Sequence, residues 1–152
     1  MFRGANAITM DDKGRITIPT RYRELLQEEC SGQIVCTKDV SQPCLLMYPL
    51  HEWEQIEKKL RNLSDTNPAE RRFKRVLLSH VMEGEVDKNG RLLISNTLRK
   101  VIGLEKQIML VGSLNKFEIW DEAVWQAQID DDLTQIAADD YELTDKLQDF
   151  SL

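Results

Sequence analysis

Two short segments of the chain repeat one arrangement of acid, glycine and arginine. In "DDKGR", Asp11 stands three residues before Gly14 and four before Arg15, and "DKNGR" at 87–91 has the same spacing. Glycine admits the positive φ that a tight turn requires, and aspartate can accept hydrogen bonds from turn amides or hold the arginine by charge. Arginine can donate two parallel hydrogen bonds to O6 and N7 of guanine.

This arrangement has two interpretations. Asp11 and Arg15 can form an ion pair that only rigidifies a hairpin turn. Alternatively, the arginine can project beyond the turn and read DNA, since a two-stranded β-ribbon fits the major groove. The spacing alone is compatible with both, but several such turns on one surface would suffice for specific binding.

The similarity between the two segments extends well beyond the turns. Gly90 follows Gly14 by 76 residues, and the flanking residues keep their chemical class at that offset. Further on, "QIVCT" (33–37) matches "QIMLV" (107–111), and "LLMYPLHEW" (45–53) matches "FEIWDEAVW" (117–125). Order, spacing and residue class all persist, so the sequence predicts an internal duplication, here called copy one and copy two.

Hydrophobic periodicity and turn residues predict the elements that position the turns. Copy one is predicted to contain a strand at 4–9, the turn at 11–14 and a returning strand at 15–18. It continues with a helix that starts near Pro19 and ends by Gly32, strands at 33–37 and 44–48, and a helix within 50–63. Copy two is predicted to contain strands at 81–86 and 91–94, a helix at 96–102, strands at 107–112 and 116–120, and a last helix with an apolar stripe formed by Val124, Trp125, Ile129 and Leu133.

A separate helix is predicted between the copies. Asn67 suits its N-cap, Pro68 its first turn and Glu70 the reciprocal position of a capping box. Its polar face carries the densest basic cluster of the chain, which consists of Arg71, Arg72, Lys74 and Arg75. This cluster is either a solvated helix face or a surface for phosphates or another subunit.

Charge is unevenly distributed along the 152 residues, whose net charge is −6. Residues 121–152 carry a net charge of −9, and residues 1–120 carry +3. A mildly basic body permits an anionic partner without demanding one.

Other classes of function have little support in the sequence. The three cysteines include no C-x-x-C pair, and the two histidines stand alone, so neither a metal site nor a disulfide framework is predicted. No Gly-rich phosphate loop opens a helix and no nucleophile has a base near it in sequence, so no catalytic residues, cofactors or enzyme activity are expected. The N-terminus lacks an apolar signal region and no apolar run is long enough for a bilayer, which makes the cytoplasm the expected location.

The segment "DDKGRITIPTRYR" resembles the DNA-binding motif of the AbrB/SpoVT superfamily. The tandem motif and the linking segment "NPAERR" together closely resemble one branch of it, the bacterial MraZ family of transcriptional regulators. The resemblance covers essentially the whole chain. It implies an α+β fold of two pseudo-symmetric swapped-hairpin halves with β-α-β-β-type topology and interspersed helices.

The resemblance also implies which residues meet DNA. Residues of the turns and of the helices that follow them are expected at the DNA, namely Asp11, Lys13, Arg15, Arg21, Arg23, Asp87, Lys88, Arg91 and Arg99. Copy one has the fuller set of cations, because Asn89 replaces Lys13 and Thr97 replaces Arg21 in copy two. The first turn is therefore expected to be the stronger reader.

The organisation and partners follow from the same resemblance. The chain is expected to contain DNA-binding domains at 5–52 and 81–124, linking helices at 53–80 and an acidic C-terminal segment at 125–152. It is expected to bind double-stranded promoter DNA at short repeated boxes as a ring-shaped homo-oligomer, and to repress its own division and cell-wall gene cluster at the nucleoid. The alternative is an antitoxin-like interaction module that uses the acidic segment.

Overall fold

The computed structural model describes residues 1–152, which fold as a mixed α+β protein in two compact units, residues 1–122 and 123–152. The mixed class confirms the predicted one. The strands are β1 (Phe2–Thr9), β2 (Arg15–Thr17), β3 (Gln33–Lys38), β4 (Leu45–Pro49), β5 (Met82–Glu85), β6 (Arg91–Leu93), β7 (Gln107–Leu114) and β8 (Lys116–Asp121). The helices are α1 (Thr20–Cys30), α2 (Leu50–Leu60), α3 (Pro68–Ser79), α4 (Asn96–Ile102), α5 (Glu122–Ala137) and α6 (Asp145–Gln148).

The main sheet of the first unit is antiparallel and contains strands from both copies. Its six strands run in the order β1-β7-β8-β4-β3-β5. The first strand of copy one pairs with β7 of copy two, from Phe2 opposite Leu114 to Thr9 opposite Gln107. The first strand of copy two, β5, pairs in turn with β3 of copy one. Neither copy can therefore complete its part of the sheet alone.

The strands that follow the two turns pair with each other. Strand β2 lies antiparallel to β6, with Ile16 opposite Leu92, in a separate two-stranded sheet. The predicted return of β2 along β1 is therefore wrong except for one bridge between Met10 and Ile16.

Burial explains this pairing. Ile16, Ile18, Leu92 and Ile94 are each at most 1% exposed. Complete burial of one such side chain stabilises the fold by about 1.5–3 kcal/mol, whereas one hydrogen bond contributes only about 0.5–1.5 kcal/mol net. Pairing β2 with β6 brings all four side chains into one core, and this outweighs the ladder bonds of a simple hairpin.

The helix ends follow the predicted signals with small shifts. Pro19 is the N-cap of α1, one residue before the helix begins, and Ser31 and Gly32 end the helix in left-handed conformations. The side chain of Asn67 caps α3 by accepting from the amides of Ala69 and Glu70. The reciprocal half of the predicted capping box is absent, because the Glu70 carboxylate accepts from the Ser64 amide instead.

The second unit is helical and exposed. None of the residues of α5 is buried, so the predicted apolar stripe of this helix does not belong to the core. Leu133, Ile136, Leu143 and Phe150 are all more than half exposed. No helix of the chain has the length and hydrophobicity needed to cross a membrane.

Candidate nucleic-acid interface

The first turn is built around the carboxylate of Asp11. Its Oδ1 accepts hydrogen bonds from the amides of Lys13 (3.0 Å) and Arg15 (2.9 Å), and its Oδ2 accepts from Nε of Arg15 at 2.8 Å. Backbone bonds close the turn, because the Gly14 amide donates to the Asp11 carbonyl and the Asp11 amide donates to the Arg15 carbonyl. Gly14 has a φ of +89°, a conformation that favours glycine.

Asp11 holds Arg15 through one nitrogen only. Both side chains are partly exposed, with relative accessibilities of 34% for Arg15 and 40% for Asp11. The terminal nitrogens of Arg15 make no hydrogen bond within the chain, so they remain available to a ligand. The side chain of Lys13 is exposed at the tip of the same turn. The first turn therefore presents two cations on a backbone that is fixed by its own aspartate.

These hydrogen bonds lower the pKa of Asp11. The Arg15 amide has the largest effect, the Arg15 guanidinium and the Lys13 amide add to it, and together they reduce the pKa from 3.8 to about 2. Hydrogen bonds to the ionised form have this effect because protonation would break them.

Because the folded pKa of Asp11 is depressed, its contribution to stability is present above the unfolded value. We expect this contribution to persist above about pH 4 and to be lost as the pH falls through 3.8 towards 2. A carboxyl-carbon NMR titration should give Asp11 a midpoint of about pH 2. Asp11→Asn should flatten the acid limb of the pH–stability curve. A midpoint near 3.8 would contradict the hydrogen-bonded turn.

The second turn repeats this framework with a looser arginine. Oδ1 of Asp87 accepts from the amides of Asn89 (2.8 Å) and Arg91 (2.9 Å). Nε of Arg91 is buried and lies 3.7 Å from Oδ2 of Asp87, within ion-pair range but too far for a hydrogen bond, so it has no hydrogen-bond partner. The Arg91 amide lowers the pKa of Asp87 below its usual value, and the guanidiniums of Arg91 and Arg15 contribute to the shift.

The two turns lie side by side as one unit. The Ile18 amide donates to the carbonyl of Gly90 at 2.7 Å, and the Ile94 amide donates to the carbonyl of Gly14 at 2.9 Å. The end of each short strand is thus bonded to the turn of the other copy. The exposed cations Lys13 and Lys88 belong to this one paired structure.

The helix arginines are placed in different ways. The guanidinium of Arg21 lies 4.5 Å from the centre of the Tyr22 ring and donates to Oδ1 of Asn6 at 3.1 Å, so its partners belong to α1 and β1. Arg23 and Arg99 each lie against the glycine of the opposite turn. A Cβ added at Gly14 would be 2.7 Å from Cζ of Arg99, and one added at Gly90 would overlap Nε and Cζ of Arg23.

The structure thus brings eight of the nine predicted residues to the paired turns, and Arg21 alone has its polar partners elsewhere. The packing of an arginine side chain against each of the two turn glycines was not predicted from the sequence. The signal was available as equal spacing, since Arg23 and Arg99 are separated by the same 76 residues as Gly14 and Gly90. Equal spacing cannot reveal that each arginine crosses to the other copy.

Comparisons with known proteins agree with the duplication. The family model for the MraZ protein matches the chain twice, at residues 1–76 and 77–146. The model also describes this family as antitoxin-like. Relatives named transcriptional regulator MraZ match over 100% of both chains. They include proteins of Tolumonas auensis (59% identical), Pseudoalteromonas atlantica (60%) and Serratia proteamaculans (55%). The chain belongs to the MraZ family.

Proposed function

We propose that this protein is a transcriptional regulator that binds specific DNA through the paired turns. The observation that carries the proposal is the bonded pair of Asp–Gly–Arg turns, which gives one chain two cationic reading elements side by side. The names of its relatives support the regulatory role.

The proposed DNA surface consists of the nine residues expected from the sequence. Arg15 and Arg91 are the candidates for base contacts, because a guanidinium held at its root can still donate two bonds to guanine. Lys13 and Lys88 suit phosphates, since an ammonium at a turn tip is a mobile point charge. Asp11 and Asp87 fix the turns. Arg21, Arg23 and Arg99 come from the helices that follow the turns, and Arg23 and Arg99 pack against the turn glycines.

The exchange of strands between the copies supports the finer fold assignment. We propose that the crossed pairings of β1 with β7 and of β5 with β3 are the swapped-hairpin arrangement of the AbrB/SpoVT superfamily. The halves at 5–52 and 81–124 then act as two DNA-binding domains, which segment 53–80 links and the acidic segment 125–152 follows.

Assembly and target complete the proposal. The resemblance implies a ring-shaped homo-oligomer that represses its own division and cell-wall gene cluster at the nucleoid, through short repeated boxes. Several linked turns gain affinity by effective concentration, which offsets the weakness of a single arginine contact. An apolar groove lined by Leu46, Ile56, Leu63 and Phe73, the last 44% exposed, supplies surface for contact between subunits.

The experiment that tests the proposal is a competition titration. Labelled DNA from upstream of the protein's own gene is bound in the presence of excess unrelated DNA, and sedimentation gives the mass of the bound protein. The expected result is retention of the labelled fragment by a multiple of the 17.6 kDa chain. Equal displacement by both DNAs would exclude specific recognition, and a monomer mass would exclude the ring.

A second candidate function is an antitoxin-like interaction module. The exposed apolar residues of the acidic second unit favour it, because an acidic segment with unburied leucines suits a protein partner. A pull-down that recovers only further copies of the chain would contradict this candidate.

The chain is not an enzyme, in agreement with the sequence analysis, because its family is one of transcriptional regulators. The buried thiols are consistent with this. Burial raises the pKa of the Cys36 thiol to about 12 and that of Cys44 further, so neither thiol forms the reactive thiolate at neutral pH.

A further inference from the structure

The two arginines that follow the short strands cross between the copies. Arg23 belongs to α1 of copy one and lies on Gly90 in the turn of copy two. Arg99 belongs to α4 of copy two and lies on Gly14 in the turn of copy one. The arrangement is reciprocal, as is the pair of backbone bonds beside it.

Close packing against the turn glycine holds each arginine in place. The added Cβ at Gly14 would be within 3.0 Å of three guanidinium atoms of Arg99, so any side chain there would displace the arginine. Nε of Arg23 donates to the Ile18 carbonyl at 2.6 Å, beside the bond from the Ile18 amide to Gly90. The planar guanidinium therefore fills the space between a helix and the opposite turn.

We propose that Arg99 and Arg23 are positioning residues that act through the turn of the other copy. Arg99 sets the orientation of the first turn, with Lys13 and Arg15, and Arg23 sets that of the second turn. Recognition by one copy then depends on a side chain of the other, so the duplicated chain reads DNA as one coupled unit. This inference rests on the proposed DNA-binding function.

The two arginines are not held in the same way. Arg23 is tied by its hydrogen bond to the Ile18 carbonyl. Nε of Arg99 is buried and has no hydrogen-bond partner, so close packing against Gly14 holds this guanidinium. The position of the first turn therefore depends more on the shape of Arg99 than the position of the second turn depends on the shape of Arg23. Arg99 is therefore the better residue for the test.

The salt dependence of DNA binding separates positioning from phosphate contact. Arg99→Ala should weaken specific binding roughly tenfold, because it misdirects a bidentate contact, while the slope of log K against log salt stays at the wild-type value. Lys13→Ala is the reference for a phosphate contact and should reduce the magnitude of that slope by about 0.9 for each copy that engages the DNA. Arg99→Lys keeps the charge but loses the planar group, so it should behave as Arg99→Ala does. A slope reduced in Arg99→Ala by as much as in Lys13→Ala, with binding restored in Arg99→Lys, would overturn the proposal.

A double-mutant cycle tests the crossing itself. Adding Arg99→Ala to Arg15→Ala should change affinity less than about twofold, because the contact that Arg99 positions is already absent. Adding it to Arg91→Ala should show the full effect. A full effect when Arg99→Ala is added to Arg15→Ala, with little effect when it is added to Arg91→Ala, would mean that Arg99 acts on the turn of its own copy.

One readout does not depend on DNA. In the free protein, Arg99→Ala should shift the backbone amide NMR signals of Gly14 and Arg15 more than those of Gly90 and Arg91. If wild-type protein fails to bind specific DNA, the proposed function fails, and this comparison still decides whether Arg99 positions the first turn. Larger shifts at Gly90 and Arg91 would contradict it.

Discussion

Arg15→Ala is expected to weaken selective binding to the promoter DNA strongly and to leave the fold intact. One bidentate arginine–guanine contact contributes about 1–3 kcal/mol of discrimination, which is roughly 5–150-fold in affinity. The loss should be greater in an oligomer that engages several such turns together. Binding to unrelated DNA, which depends on phosphate contacts, should change little.

The stability of this variant supplies the control for folding. Arg15 is about one-third exposed, and its ion pair with Asp11 is a partly exposed one, so the melting temperature should change little. Arg91→Ala is the matched variant in the second turn. If the first turn is the stronger reader, Arg91→Ala should have the smaller effect. Normal operator affinity in Arg15→Ala would remove Arg15 from the interface.

Gly112→Ala is expected to cause the largest loss of stability among the changes considered. A Cβ at this position would overlap the backbone nitrogen of Arg3 and lie 2.7 Å from Cα of Arg3 and from the carbonyl carbon of Phe2. Backbone atoms of a paired strand cannot rotate aside, so β1 must separate from β7. We expect a loss of about 3 kcal/mol in the free energy of unfolding, which lowers Tm by roughly 6–12 °C.

Gly84→Ala is the matched control in the same sheet. The added Cβ there meets only terminal methyl groups of flexible side chains, those of Leu92 at 3.0 Å, Ile34 at 3.1 Å and Met82 at 3.6 Å, and these can shift. Gly84→Ala should lower the free energy of unfolding by about 1 kcal/mol or less. Thermal unfolding of both variants measures the difference. Equal stability of Gly112→Ala and wild type would mean that β1 does not pair with β7.

The elements were largely predictable from the sequence because each has a local cause. Helix α4 has the predicted bounds of 96–102, with Ser95 as its N-cap and a left-handed Gly103 as its C-cap. Asn67 caps α3 as its residue type indicates. Hydrophobic periodicity, helix caps and turn glycines depend on a few neighbouring residues, so they can be recognised without knowledge of the fold.

The pairing of the strands was not predictable in the same way. A short strand after a glycine turn normally returns along its own predecessor, and β2 instead pairs with β6. The cause is long-range, since burial of Ile16 against the strand of the other copy depends on where that copy lies. The crossing of Arg23 and Arg99 has the same origin, because the glycine on which each arginine packs lies in the other copy.

The two turns also differ in how firmly each holds its arginine. Arg15 is fixed by a 2.8 Å hydrogen bond to Asp11, whereas the corresponding nitrogen of Arg91 has no hydrogen-bond partner and lies 3.7 Å from Asp87. A guanidinium that is already oriented loses less conformational freedom when it binds a base. This difference supports the expectation that the first turn reads DNA more strongly.

The most direct test of the central claim is guanine N7 protection on the DNA upstream of the protein's own gene. Wild-type protein should protect discrete guanines in repeated boxes from methylation at N7, the atom to which an arginine donates. Arg15→Ala, at a concentration that still covers the DNA, should lose that protection at one guanine of each box. Identical protection by wild type and Arg15→Ala would contradict the claim that the first turn reads the sequence.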